Sequence, residues 1–374
     1  MTGPSPFPSP RLRGEESATS AELVARVVRP EIRALSAYVV AKAEGMIKLD
    51  AMENPYALPG PVRARLDAAL SHVAVNRYPD GGADAAKAAL RQAFGISDRQ
   101  AVLLGNGSDE LIQIITSALA RPGAVMLAPE PSFVMYSMNA LYAGMRFVGV
   151  PLSADFSLDL PAMRAAIERE QPSLVFIAYP NNPTGNCFAR AELEAILDQA
   201  PGLVVIDEAY LPFAQDTWMP QLAERPSLVV LRTLSKLGLA GLRLGYACAD
   251  PAWIGEFDKL RPPYNVGVLP LAAADFLLDH FQVLQQQAAV IRAERARLLS
   301  ALRALTGVAP FDSAANFILF RVGEPDRLFA GLCGRGILVK NVSGSHPLLA
   351  GCLRVTVGTP QENDAFLQAL GALS

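Results

Sequence analysis

Between about residues 61 and 265 the chain repeats one pattern: a short apolar run, then a helical segment. The runs are AVLLG (101–105), AVMLAP (124–129), RFVGVP (146–151), LVFIAYP (174–180), LVVIDEAY (203–210), LVVLRTL (228–234) and RLGYACA (243–249). Helical stretches such as SDELIQIITSALA (108–120), LPAMRAAIERE (160–170) and RAELEAILDQA (190–200) separate several of them. A strand that is apolar throughout must be covered on both faces, which demands a mostly parallel central sheet flanked by helices. This feature restricts the chain to an α/β fold. After PPYNVG (262–267) the pattern changes to a long helix over roughly 270–305, short strands NFILFR (316–321), GILVK (336–340) and LRVTV (353–357), and a last helix. That arrangement predicts a smaller α+β domain. Upstream, helix-like spacing over 21–43 is interrupted by Pro30, and KLDAMENPYALPGP (48–61) reads as an extended connector. Residues 1–20, rich in Pro and Ser, read as a mobile tail. The expected division is a tail at 1–20, an arm and part of the small domain at 21–60, the large domain at 61–265 and the rest of the small domain at 266–374.

Composition removes several function classes. With 51% hydrophobic and 18% charged residues among 374, the chain is too apolar for a disordered polypeptide. A net charge of −3 gives no global field for nucleic acid or an anionic membrane. The apolar runs are too short to span a bilayer, and the N-terminus lacks a secretory apolar core, so a cytoplasmic enzyme is expected. The four cysteines form no CxxC pair and read as buried reduced thiols, and the three isolated histidines offer no zinc site.

In such sheets ligands sit beyond the carboxyl ends of the strands. Four polar motifs fall there. GNGSDE (105–110) follows a strand and opens a helix, where Gly107 permits a tight turn and Ser108 and the free amides suit a phosphate. Asp109 and Glu110 complement the helix dipole. YPNNPTGN (179–186) makes a rigid turn that aims an amide, Asn182, over the sheet edge. DEAY (207–210) places Asp207 where burial is expensive without a cationic partner, with Tyr210 three residues on. RTLSKLGLAGLRLGY (232–246) sets Lys236 just past a buried strand, where it loses its proton more readily, beside Ser235 and seven residues before Arg243. Each motif alone also reads as an ordinary turn, cap or surface loop. Together they suit one small molecule with a pyridine nitrogen (Asp207), a phenolic oxygen (Asn182, Tyr210), a phosphate (Ser108, Ser235, Arg243 and amides near Gly107) and an aldehyde (Lys236). That molecule is pyridoxal 5′-phosphate.

These motifs, with KLDAMENPY (48–56), RYPD (77–80), PEPSFVMY (129–136), ANFILF (315–320) and LRVTVGT (353–359), resemble the fold-type I aminotransferases, and within them the histidinol-phosphate aminotransferase family. The resemblance runs from about Val28 to the C-terminus. It implies a homodimer with shared active sites and Lys236 as the Schiff-base lysine and acid–base. It further implies Gly107, Ser108, Asp109, Phe133, Asn182, Asp207, Tyr210, Ser235 and Arg243 at the cofactor, Phe133 stacking where the family commonly has Tyr. Tyr56 would reach the cofactor phosphate of the neighbouring subunit, and Arg354, Lys340 and Asn316 would serve the substrate. Two departures stand out: Lys340 where relatives carry an arginine, losing the bidentate fork, and a Lys236–Arg243 step one residue shorter than in many relatives. The implied reaction moves an amino group between L-histidinol phosphate and 2-oxoglutarate. A broad or aromatic amino-acid aminotransferase and a phosphothreonine decarboxylase are the alternatives, whereas a DNA-binding regulator and a dinucleotide oxidoreductase are disfavoured.

Overall fold

The computed structural model describes residues 19–37, 41–214 and 216–373, in two compact units, Met1–Lys42 and Ala43–Ser374. In the first unit a helix, Ser20–Val27, starts from a capping box between Thr19 and Glu22, and a second, Pro30–Arg33, has proline in its first turn. Pro30 therefore interrupts the helical run as its missing N–H requires. The helix begins inside the span read as a tail, because Thr19 caps it; residues 1–18 of that span lie outside the described residues.

The second unit opens with β1 (Ile47–Lys48), and the connector then runs without regular structure to a helix at Gly60. The seven apolar runs become β2 (Ala101–Asn106), β3 (Val125–Glu130), β4 (Arg146–Pro151), β5 (Leu174–Ala178), β6 (Leu203–Asp207), β7 (Leu228–Thr233) and β8 (Leu244–Ala249). They form one sheet in the order β2-β8-β7-β6-β5-β3-β4. Only β8 runs against its neighbours, so the sheet is mostly parallel, as the unbroken apolar runs require. The inner strands β5 to β8 are buried along their whole length. Within this unit a second sheet joins β9 (Ala309–Pro310), β10 (Phe317–Arg321), β12 (Lys340–Asn341) and β13 (Cys352–Thr356) in the order β12-β13-β10-β9, over a separate apolar core that includes Phe317, Phe320, Leu353 and Phe366.

Two expectations are corrected. The single helix over 270–305 is two, Val268–Asp279 and Phe281–Arg303, broken at His280. There the imidazole Nδ1 lies 2.8 Å from the Phe276 carbonyl, to which the His280 amide would donate in an unbroken helix, and the amide donates to the Leu277 carbonyl instead. The strand GILVK is likewise divided. Its first part, β11 (Ile337–Leu338), pairs in parallel with β1, and Val339 separates it from β12, which pairs with β13. Among the cysteines, Cys248 and Cys352 are buried, but Cys187 and Cys333 are only half-buried. No helix among the described residues is long and apolar enough to cross a membrane.

Candidate active site

The ends of β5, β6 and β7, the turn after β2 and the start of β8 surround one pocket. It brings together Ser108, Asp109, Phe133, Asn182, Asp207, Tyr210, Ser235, Lys236 and Arg243, nine residues expected from widely spaced motifs. Strand ends converge because parallel strands all point the same way, and each loop that follows emerges at the same edge.

Gly107 adopts a φ of +82° and starts the helix Ser108–Leu119 with no side-chain cap, leaving first-turn amides open. A Cβ at Gly107 would sit 2.7 Å from Arg243 Nη2, and one at Gly245 would meet the Ser108 amide nitrogen at 2.5 Å. At Gly245 only glycine lets the two backbones approach, and at Gly107 the positive φ itself favours glycine. Arg243 itself takes a left-handed backbone (φ +50°), and its guanidinium donates to Ser235 Oγ at 3.4 Å and to Asp109 Oδ2 at 3.3 Å. Ser235 Oγ accepts in turn from Thr233 Oγ1 at 3.0 Å. Hydroxyls, amides and a guanidinium thus make a cradle of donors suited to a phosphate dianion.

At Asp207 the chemistry is opposite. The carboxylate is buried, with Oδ2 accepting from Tyr136 Oη at 2.8 Å and Oδ1 from the Ala209 amide at 3.0 Å. No lysine or arginine pairs with it among the described residues. Burial pushes its pKa up to about 6 even though both hydrogen bonds favour the ionised form. A buried carboxylate without a cation suits a protonated nitrogen brought in by a ligand.

Lys236 lies in the turn Ser235–Leu237 that directly follows β7. Its Nζ donates to the Ala51 carbonyl at 3.3 Å and sits 5.8 Å from the Tyr210 ring centroid. Burial first, and the positive Arg354 second, lower its pKa to about 8. The amine is therefore nucleophilic well below the usual lysine range. Arg354, on β13, donates from Nη1 to Asn182 Oδ1 at 2.5 Å and from Nη2 to the Asp50 carbonyl at 3.0 Å.

The remaining expected residues do not line the pocket. Asn316 reaches it indirectly, its Nδ2 donating to the carbonyl of the lining residue Met52 at 2.9 Å. Lys340 is half-buried directly opposite Arg354 in the β12–β13 register, so both side chains leave the same sheet face. Tyr56 packs against the second core with its hydroxyl buried and without a hydrogen-bond partner among the described residues.

Six lining residues were not singled out by the sequence reading: Met52, Tyr136, Ala178, Pro180, Ala209 and Thr233. Tyr136 lay inside the quoted PEPSFVMY, but nothing local marks a tyrosine that stacks on Phe176 (4.6 Å) and donates to a carboxylate 71 positions away. Also missed was the buried pair of Glu208 with Arg232 (2.9 Å), in which Glu208 additionally accepts from Thr217 Oγ1 and the Trp218 amide. It closes the loop that carries Tyr210.

A parallel-rich sheet with a buried lysine, an uncompensated carboxylate and an open helix N-terminus at one edge defines a transaminase-type site. The chain belongs to the class I and II aminotransferases, whose family pattern matches residues 44–370. It is similar to the histidinol-phosphate aminotransferase of Chromobacterium violaceum, 59% identical over 347 residues that cover 93% of this chain and 98% of that protein. It is also similar to histidinol-phosphate aminotransferase 1 of Ralstonia nicotianae, 56% identical over 94% of this chain and 95% of the relative. Among solved structures, the histidinol-phosphate aminotransferase of Sinorhizobium meliloti in complex with pyridoxal-5′-phosphate aligns with a TM-score of 0.82 at 26% identity, covering 96% of this chain and 99% of that one. The Clostridium acetobutylicum counterpart (TM-score 0.80, 22% identity, 87% and 98% coverage) shares the fold. The fold is thus that of the fold-type I aminotransferases.

Proposed function

We propose that the chain transfers an amino group between L-histidinol phosphate and 2-oxoglutarate, giving imidazole acetol phosphate and glutamate in histidine biosynthesis, with pyridoxal phosphate as cofactor. The observation that carries the cofactor is Asp207, a buried carboxylate without a cation, in the same pocket as Lys236 and the donor cradle. The substrate follows from relatives of that name at 59% and 56% identity over more than nine-tenths of the chain.

The residues fit the group in kind. Ser108, Ser235, Arg243 and the amides after Gly107 would hold its phosphate, Asn182 and Tyr210 its phenolic oxygen, and Asp207 its ring nitrogen, with Phe133 against the ring. Bound there, pyridoxal phosphate supplies an electron sink for the pair left on the substrate α-carbon. Asp207 keeps the ring-nitrogen proton in place, and Tyr136 keeps Asp207 ionised. Lys236 Nζ, with its lowered pKa, takes the α-proton and returns it on the other side of the exchange. Arg354, with Lys340 beside it on the sheet face, binds the anionic group of either amino donor. Asn316 steadies the segment that Arg354 leans on.

The reading includes a cytoplasmic homodimer with shared sites, in which the unpartnered Tyr56 hydroxyl turns to the neighbouring subunit's cofactor phosphate. It also includes the division into a large domain at 61–265 and a small domain from both flanks. Rates of the purified holoenzyme with histidinol phosphate, phenylalanine and tyrosine test it, together with carbon dioxide release from phosphothreonine. Highest kcat/KM with histidinol phosphate and no carbon dioxide are expected. Preference for an aromatic amino acid, or decarboxylation, would overturn the substrate assignment.

A further inference from the structure

Met52 is a non-glycine residue with φ of +54°, on a segment that spans the pocket. Its neighbours accept from two cations: the Asp50 carbonyl from Arg354 and the Ala51 carbonyl from Lys236. The strained residue itself is pinned on both sides, its amide donating to Thr356 Oγ1 at 3.0 Å and its carbonyl accepting from Asn316 at 2.9 Å. Asn54 then ties the segment down by donating to the Leu237 carbonyl (3.2 Å) and Gln287 Oε1 (2.9 Å). A left-handed backbone costs a long side chain free energy that asparagine or glycine would largely avoid. The two hydrogen bonds on Met52 hold that backbone in place, and the residue lines the pocket that also holds Lys236.

We infer that Met52 is a specificity-determining residue: its side chain forms the apolar wall against which the ring of an aromatic or imidazole-bearing amino donor lies. This rests on the proposed substrate. A polarizable thioether gains from contact with a ring face or edge and gains little from an aliphatic carboxylate such as glutamate's. It therefore raises the share of turnover given to the ring-bearing donor while Arg354 serves the anion of both.

The test is the ratio of kcat/KM for histidinol phosphate to kcat/KM for glutamate, measured in separate half-reactions on the holoenzyme of wild type, Met52→Asn and Met52→Leu. Asparagine tolerates the left-handed backbone, so Met52→Asn is expected to melt no lower than wild type and to lose about tenfold in the ratio, the scale of one apolar pocket contact. Met52→Leu, which keeps an apolar wall, stays within about twofold to threefold by the same scale. An unchanged ratio in Met52→Asn with a lower melting temperature would assign Met52 to packing against the second core and overturn the inference. Wild-type protein inactive on histidinol phosphate overturns the substrate reading and this inference together, and is seen before any variant is compared.

Discussion

Replacing Tyr136 by phenylalanine removes one donor from a buried carboxylate and leaves the rest of the pocket in place. Tyr136 is fully enclosed, its ring stacked on Phe176, and its hydroxyl donates to Asp207 Oδ2 at 2.8 Å. A hydrogen bond to a charged group contributes about 1.5–3 kcal/mol, and one pKa unit corresponds to about 1.4 kcal/mol, so the loss raises the Asp207 pKa by about one to two units. From about 6 it moves to roughly 7–8. Only ionised Asp207 can face a protonated ring nitrogen. Cofactor affinity should therefore fall on the acid side, below about pH 6 in wild type and below about pH 7–8 in Tyr136→Phe. The assay is absorbance titration of cofactor-free protein with pyridoxal phosphate across pH. An acid limb that stays put in Tyr136→Phe would refute the claim that this hydroxyl holds Asp207 ionised. The linked stability has a definite sign. Because folding raises the Asp207 pKa from 3.8 to about 6, the folded cofactor-free protein binds more protons than the unfolded chain in that interval. Its stability falls as pH rises from about 4 through 6, and denaturant titrations at a series of pH values check this.

Other outcomes follow from the same geometry. Asp207→Asn should still load cofactor through the phosphate cradle but react slowly in single turnover, since the ring nitrogen loses its anionic partner; normal single-turnover rates would contradict that role. The cofactor-free protein should be trapped by a small aldehyde and borohydride at Lys236 with a midpoint near pH 8, because burial and Arg354 favour the neutral amine; a midpoint in the ordinary lysine range would show the amine is not desolvated. Glu208→Ala strands Arg232 in the interior and should cost about 3–5 kcal/mol in denaturant titration, the usual penalty for breaking a buried pair.

The large sheet was legible because its strands are continuous Val, Ile and Leu, and burial on both faces leaves no other use for such runs. Asp207, Lys236 and Ser108 were legible for a related reason: a polar residue at the end of such a strand has few inexpensive places to be. Tyr136 was not, since its role depends on a partner strand 71 positions away, and an aromatic in a largely apolar helix reads as core. Met52 was hidden differently. Its significance lies in a positive φ imposed by Thr356 and Asn316, which no local pattern encodes. The break at His280 depends on a side chain competing for a helical carbonyl, and the division of 336–340 on which strand edges happen to be open. Apolar periodicity is blind to both.

One comparison tests the assignment of the chemistry to this pocket most directly: amino transfer from L-histidinol phosphate to 2-oxoglutarate by wild type and by Lys236→Ala, with melting temperature measured in parallel. Wild type should form glutamate on every turnover, and Lys236→Ala should fall to background while keeping a folded, cooperative transition, because the amine makes one hydrogen bond, to the Ala51 carbonyl, among the described residues. Near-native turnover by Lys236→Ala, or none by wild type, would contradict it.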